Sequence, residues 1–210
     1  LRKIVSLENG EELEYGKLLV ATGGKVNTLH LPGSDLPQVV YLRTLEDAEK
    51  IKKQMQESSE AVVLGGGFIG IELAQSFIKN NLKTTAIVRE NSFWESIVGE
   101  NSGRLLGHIL QSNGINLVYN TEVSEFLGEN DKLKKIKTDQ GHEIKADMAG
   151  VGIGIHMEVG HLQDSGIKLN KGVLTNEYLE TSEKDIWAAG DIAEFYYSQT
   201  GNHHQRGNWS

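Results

Sequence analysis

The chain has 210 residues, with 21 Lys and Arg against 29 Asp and Glu for a formal net charge of −8, 24 Gly, 2 Pro and no Cys. An acidic chain without a basic run is the wrong surface for nucleic acid or an anionic membrane, since both demand clustered Lys and Arg against phosphate. Lack of thiols excludes a disulfide framework, a thiolate metal centre and a dithiol redox centre within these residues. The longest apolar stretch, Ala61 to Ile71, contains four Gly and falls short of the ~20 residues that span a bilayer. Length and composition suit one or two compact domains, and the cysteine usage points to the cytoplasm. Gly is in excess and clustered, which predicts special backbone turns rather than a flexible linker.

The chain opens at Leu1 without the charged segment and apolar core of a signal peptide, and reads as an excised boundary. Its first element recurs. Residues 5–23, VSLENGEELEYGKLLVATG, align without gaps on residues 136–154, IKTDQGHEIKADMAGVGIG, placing Val5 on Ile136, Gly10 on Gly141, Leu13 on Ile144 and Gly23 on Gly154. Each copy predicts a hairpin with a polar turn, Glu8-Asn9-Gly10 or Asp139-Gln140-Gly141, followed by a buried strand that ends in a Gly-containing turn. A complete nucleotide-binding unit precedes the second copy and nothing precedes the first, so the chain is expected to begin inside its first domain.

That unit follows in order. Ala61–Leu64 predicts a short buried strand, and Gly65-Gly66-Gly67-Phe68-Ile69-Gly70 a turn. A helix then runs to about Lys79, with Ile71, Ala74 and Ile78 at helical spacing. Asn80 and Asn81 can end it, because Asn tolerates the left-handed cap conformation. Thr84–Val88 predicts the second strand. A further helix carrying Leu105, Leu106, Ile109 and Leu110 stops at Gly114, before a strand at Ile115–Tyr119. This is β-α-β-α-β, a Rossmann-type half.

In Gly65-x-Gly67-x-x-Gly70 the first Gly makes the turn, the second lets backbone approach a pyrophosphate and the third lets helix and strand pack closely, while amides of the helix N-terminus face the phosphates. A strand before the motif and a helix after it make dinucleotide binding the favoured reading over a structural turn. A carboxylate at the end of the second strand would accept from the ribose 2′-hydroxyl of NAD, and an Arg would pair a 2′-phosphate of NADP. Arg89 and Glu90 stand side by side there, so both NADH and NADPH stay open. Glu72, expected on the first turn of the glycine-loop helix, is also explained by the helix dipole. Ile186-Trp187-Ala188 predicts a strand leading to Gly190-Asp191 and a short helix, where Asp191 could be a plain N-cap. His203 and His204 are adjacent without an i, i+4 partner, and no metal site is expected.

Taken together, LLVATG, LPG, YLRTLEDAE, GGGFIGIELA, VGIG and IWAAGD, in this order, resemble the FAD-dependent pyridine nucleotide oxidoreductases. Within that superfamily the likeness is to ferredoxin and rubredoxin reductases and to apoptosis-inducing-factor-like flavoproteins. The resemblance covers essentially the whole chain. It implies an α/β fold, with a Rossmann-type three-layer βαβ domain carrying a β-meander and an incomplete second Rossmann domain of the FAD type. Residues 1–42 and 160–210 would be FAD-domain segments, and 43–159 the NAD(P)H domain. For NAD(P)H it implies Gly65, Gly66, Gly67, Phe68, Ile69, Gly70, Arg89 and Glu90, with Glu72 near the nicotinamide carboxamide and Gly152, Ile153 and Gly154 as a facing loop. For FAD it implies Thr22, Gly23, Arg43, Gly190 and Asp191, with Trp209 near flavin and nicotinamide.

The sequence departs from the pattern at Lys25-Val26-Asn27, where an Arg contact is lost or supplied by Lys25. It departs again at Arg89, where NADH-using relatives often carry an acid, and at Gly207, which replaces a common acid. The resemblance also implies an N-terminal FAD-binding βαβ, which is expected to lie outside these residues. The intact parent is expected to pass hydride from NAD(P)H to FAD, and on to ferredoxin, rubredoxin, another iron-sulfur partner, oxygen or quinone. No protein group serves as a chemical catalyst in this reading, because the cofactors carry the chemistry. An alternative expectation is a redox sensor whose assembly is the output. These residues by themselves are expected to be inactive, and open strand edges to favour a homodimer.

Overall fold

The computed structural model describes residues 3–205. In chain order the elements are β1 (Ile4–Ser6), β2 (Glu12–Glu14), β3 (Leu18–Val20), β4 (Lys25–Val26), β5 (Val39–Tyr41) and α1 (Leu45–Gln56). There follow β6 (Glu60–Leu64), α2 (Phe68–Lys79), β7 (Lys83–Val88), α3 (Glu95–Val98), α4 (Glu100–Ser112) and β8 (Asn116–Tyr119). The remainder is β9 (Val123–Glu129), β10 (Lys132–Thr138), β11 (Glu143–Lys145), β12 (Met148–Val151), β13 (Ile155–His156), β14 (Val173–Thr175), β15 (Ile186–Ala188), β16 (Ala193–Tyr197) and β17 (Asn202–Gln205). They form two compact units: a middle one, Val26–Gly154, and an outer one made of Leu1–Lys25 with Ile155–Ser210.

The middle unit is built on a five-stranded sheet in the order β5-β12-β6-β7-β8, parallel throughout. A parallel sheet must be covered on both faces, and β6 shows how the sequence arranges this. Ala61 and Val63 join one buried cluster with Leu73, Phe77 and Met148, while Val62 and Leu64 join another with Phe126, Leu133 and Ile136. The first cluster lies under the helices. The second lies under an antiparallel meander, β11-β10-β9. Helices, sheet and meander are the three layers that the sequence implies.

Local chemistry sets the helix ends. Thr44 and Asp47 cap α1 reciprocally, each side chain taking the other's backbone N–H. Asn81 leaves α2 in the left-handed conformation (φ 63°), as its sequence predicts. Gly150 in β12 admits α2 closely, since a Cβ there would stand 3.0–3.1 Å from Phe77 and Leu73. Residues 26–42 contribute β5 to this sheet, and this compact unit runs from Val26 to Gly154.

In the outer unit β1 and β2 pair as a hairpin, β3 lies parallel to β15, and β14-β16-β17 make a small mixed sheet. Its core gathers Val20, Leu162, Ile167, Val173, Ile186, Ala188 and Ile192. No helix among the described residues is long and apolar enough to cross a membrane.

Candidate functional site

The strand order β12-β6-β7 sets three carboxyl ends side by side, and a parallel sheet opens its crevice there. From the end of β6 the chain turns at Gly65, which has φ 109° and donates its N–H to the Ile87 carbonyl at 3.0 Å. A Cβ on Gly65 would stand 2.3 Å from the Gly152 carbonyl oxygen, and one on Gly70 2.0 Å from the Gly65 carbonyl oxygen. Neither tolerates a side chain. Gly67 differs, because a Cβ built there meets nothing within 4 Å. It is the N-cap of α2, with no side chain capping the helix and no acid in its first turn. The positive end of a three-turn helix therefore opens beside bare backbone, an arrangement suited to an anion.

A cleft of about 460 Å³ occupies this edge. It is lined by Gly65, Gly66 and Gly67, by Arg89 and Glu90 beyond β7, and by Gly152, Ile153 and Gly154 beyond β12. Phe68 and Ile69 follow on the first turn of α2, partly exposed, and Gly70 is buried beneath them. Glu72 is not brought to this cleft. It is exposed on α2, in a separate trough between α1 and α2 with Lys52 and Lys79.

The lining also holds residues that the sequence did not mark as part of the site, among them Asn27, Trp94, Thr121 and Glu122. Asn27 fastens the Gly152–Gly154 loop, its N–H bonding the Gly154 carbonyl at 3.0 Å and its side-chain amide the Ile153 carbonyl at 3.2 Å. Trp94 adopts a left-handed backbone (φ 52°), donates its N–H to the Gly66 carbonyl at 3.3 Å and packs its ring on Phe68 at 4.4 Å. Its indole Nε1 is buried without a protein partner. Beyond β8, Glu122 approaches Arg89, whose Nε lies 3.9 Å from Glu122 Oε1 and whose Nη2 lies 3.3 Å from Glu90 Oε1. Only Glu122 offered a signal in the sequence, as a carboxylate just past the third predicted strand.

In the outer unit, Thr22 and Gly23 (φ 66°) follow β3, while Gly190 (φ 74°) and Asp191 follow β15. These strands are parallel neighbours, and Ala189 N–H bonds the Val20 carbonyl at 3.0 Å, so both turns emerge at one sheet end. Lys25 pairs with Glu158 at 2.6 Å, and that hydrogen bond holds the Glu158 carboxyl below the usual glutamate range. Arg43 belongs to the middle unit, where its N–H bonds Asp47 at the head of α1. His203 and His204 lie on β17 with their rings against Tyr196 and Tyr197. Trp209 lies outside the described residues.

Comparison with known proteins decides the family. Residues 2–207 match the family described as pyridine nucleotide-disulphide oxidoreductase. The chain belongs to that family. Among relatives of this chain is rubredoxin-NAD(+) reductase of Pseudomonas putida, 32% identical over 192 residues, 91% of this chain and 50% of the relative. Another is apoptosis-inducing factor 3 of Homo sapiens, 33% identical over 195 residues, 92% of this chain and 32% of the relative. A crystal structure of a ferredoxin reductase from Rhodopseudomonas palustris superposes with a TM-score of 0.93 at 27% identity, covering 98% of this chain and 51% of that one. The chain thus spans about half the length of the relatives it matches first.

Proposed function

We propose that this chain is the NAD(P)H-binding portion of a flavin-dependent oxidoreductase that passes hydride from NAD(P)H to FAD and on to ferredoxin, rubredoxin, oxygen or quinone. One observation carries the reading: the middle cleft joins a bare glycine turn, an uncapped helix N-terminus and a pair of charged residues across three adjacent strand ends. The names of the relatives, a rubredoxin-NAD(+) reductase and a ferredoxin reductase, support it.

The residues divide the work. Gly65 and Gly70 keep the loop tight, Gly67 leaves room for a pyrophosphate against the first amides of α2, and the Arg89–Glu90 end receives the adenosine ribose. Phe68, Ile69 and the Gly152–Gly154 loop border the dinucleotide beyond the pyrophosphate, and a place for Glu72 near the carboxamide rests on resemblance alone, since it faces the separate trough between α1 and α2. In the outer unit, Thr22 and Gly23, with Gly190 and Asp191, fit one flank of FAD, since Gly190 has open space where a Cβ would be. Arg43 and Trp209 complete the set on resemblance alone. FAD supplies the hydride acceptor when bound, and the protein contributes alignment.

The test is a titration of the purified protein and its Gly67→Asp variant with NADH, followed by nicotinamide fluorescence. Asp is a favoured N-cap and Gly67 has extended backbone (φ −90°, ψ −171°), so the variant should fold at least as stably as the parent. Its carboxylate would occupy the pyrophosphate position. Binding weakened about tenfold or more is expected from like-charge repulsion, whereas unchanged binding would remove the glycine turn from the site. The likeness to apoptosis-inducing factor 3 favours a second reading, in which NAD(P)H binding changes assembly. Very slow turnover with ligand-dependent sedimentation would support that reading over the first.

A further inference from the structure

We infer that Glu122 is a specificity-determining residue that disposes the cleft to NADH over NADPH, an inference that rests on the cleft taking a nicotinamide dinucleotide. By position alone Arg89 reads as a receptor for a 2′-phosphate. The structure gives it other company. Its guanidinium lies between Glu90 Oε1 at 3.3 Å and Glu122 Oε1 at 3.9 Å, and among the described residues Arg89 is the single basic one lining the cleft, against Glu90, Glu95 and Glu122.

Glu122 is held there by its backbone. Its N–H donates to Asp139 Oδ1 at 3.1 Å, and its carbonyl accepts from Asp139 N–H at 2.9 Å. Two further bonds tie its segment to the end of β7, from Asn120 N–H to the Glu90 carbonyl at 3.3 Å and from Thr121 N–H to the Val88 carbonyl at 3.4 Å. Thr121 is buried. The acid therefore comes from a different element than Arg89 but is fastened to the same end of the cleft.

The charge arithmetic follows. Arg89, Glu90 and Glu122 sum to −1 as ionised groups, and Glu95 and Asp139 add negative charge nearby. A ribose diol is neutral and can donate its hydroxyls to a carboxylate. A 2′-phosphate brings roughly another −1.5 to −2 at neutral pH and must compete with two acids for one guanidinium. Glu122 thus neutralises the cation that a 2′-phosphate would need.

The decisive experiment titrates the wild type, Glu122→Gln and Glu122→Asp with NADH and with NADPH at one fixed low ionic strength, then in high salt. NADH should bind the wild type about tenfold or more tightly than NADPH. Glu122→Gln should close much of that gap by tightening NADPH, Glu122→Asp should preserve it, and salt should narrow it through screening. Tighter NADPH in the wild type, or an unchanged ratio in a folded Glu122→Gln, overturns the role given to Glu122 while leaving the dinucleotide reading intact. Binding of neither nucleotide overturns the dinucleotide reading and this inference with it. Circular dichroism and thermal midpoints of both variants establish that they are folded.

Discussion

In the hairpin near the start of the chain Ile4 faces Glu14, Val5 faces Leu13 and Ser6 faces Glu12, and in the second hairpin Lys135 faces Lys145, Ile136 faces Ile144 and Lys137 faces Glu143. The register is the same at every pair, and the turn glycines match too, with φ 85° at Gly10 and 80° at Gly141. Their surroundings differ. Ile136 is fully buried under the sheet with Leu133 and Phe126, whereas Val5 is half-buried and Leu13 is 46% exposed. The strands that follow diverge likewise: β12 has parallel partners on both sides, and among the described residues β3 pairs with β15 alone. Pairing and turn geometry follow from local sequence, while depth of burial is conferred by neighbouring elements. A third strand, β9, and a five-stranded sheet supply that cover in the middle unit.

Paired substitutions would break or sharpen this comparison. The largest contrast is expected between Ile136→Ala and Val5→Ala. Emptying the fully buried position should cost about 2–5 kcal/mol, against less than about 1 kcal/mol at its half-buried counterpart. Denaturant unfolding, with hydrogen exchange read separately in the two units, measures both; equal costs would mean the two hairpins are equally covered. Gly10→Ala and Gly141→Ala come next. Both glycines have positive φ and open space around the Cβ position, so each substitution should cost the same, about 1–2 kcal/mol from backbone strain alone. Unequal costs would show that the turns are not equivalent after all.

The smallest effect concerns charge. Lys135 Nζ bonds Glu143 Oε2 at 2.7 Å, and this hydrogen bond holds the Glu143 carboxyl below the usual glutamate range. A carboxyl whose pKa is lowered by folding adds stability that is present above its unfolded pKa and lost as pH falls through the folded one. Both groups are well exposed, so the contribution is screened and slight. Carboxyl NMR titration should return Glu143 to the ordinary range in Lys135→Ala. The first hairpin carries Ile4 and Glu12 at the corresponding positions, so Ile4→Ala there removes no ammonium.

How much was legible in the sequence follows the same division between local and long-range causes. Strands β6 and β7, helix α2 and the glycine turn are readable because period, flanking Gly and helix-ending Asn all agree. The repeat identifies both hairpins because it copies the turn chemistry. Strand β9 escaped because register shifts in its pairing with β10, at Leu133/Lys135 and Lys137/Thr138, disturb the alternation across that ladder. Helix α1 buries only Ile51, so its apolar pattern is weak, although the Thr44–Asp47 cap marks its start. In the cleft, glycines and charges at strand ends could be named in advance. Trp94 could not, since nothing in Phe93-Trp94-Glu95 announces a bulky residue with positive φ. Nor could the approach of Glu122 to Arg89, which depends on bonds across strand ends.

The placement of Trp94 has an optical consequence. Its ring borders the glycine turn and packs tilted against Phe68 in the middle unit, while Trp187 lies on β15 in the outer unit, beneath the Lys17 ammonium at 5.6 Å. Indole emission overlaps the absorption band of reduced nicotinamide and misses that of the oxidised form. With Trp187→Phe and Trp209→Phe removing the other two indoles, the light leaving Trp94 would become a built-in gauge of the redox state of any dinucleotide that fills the cleft.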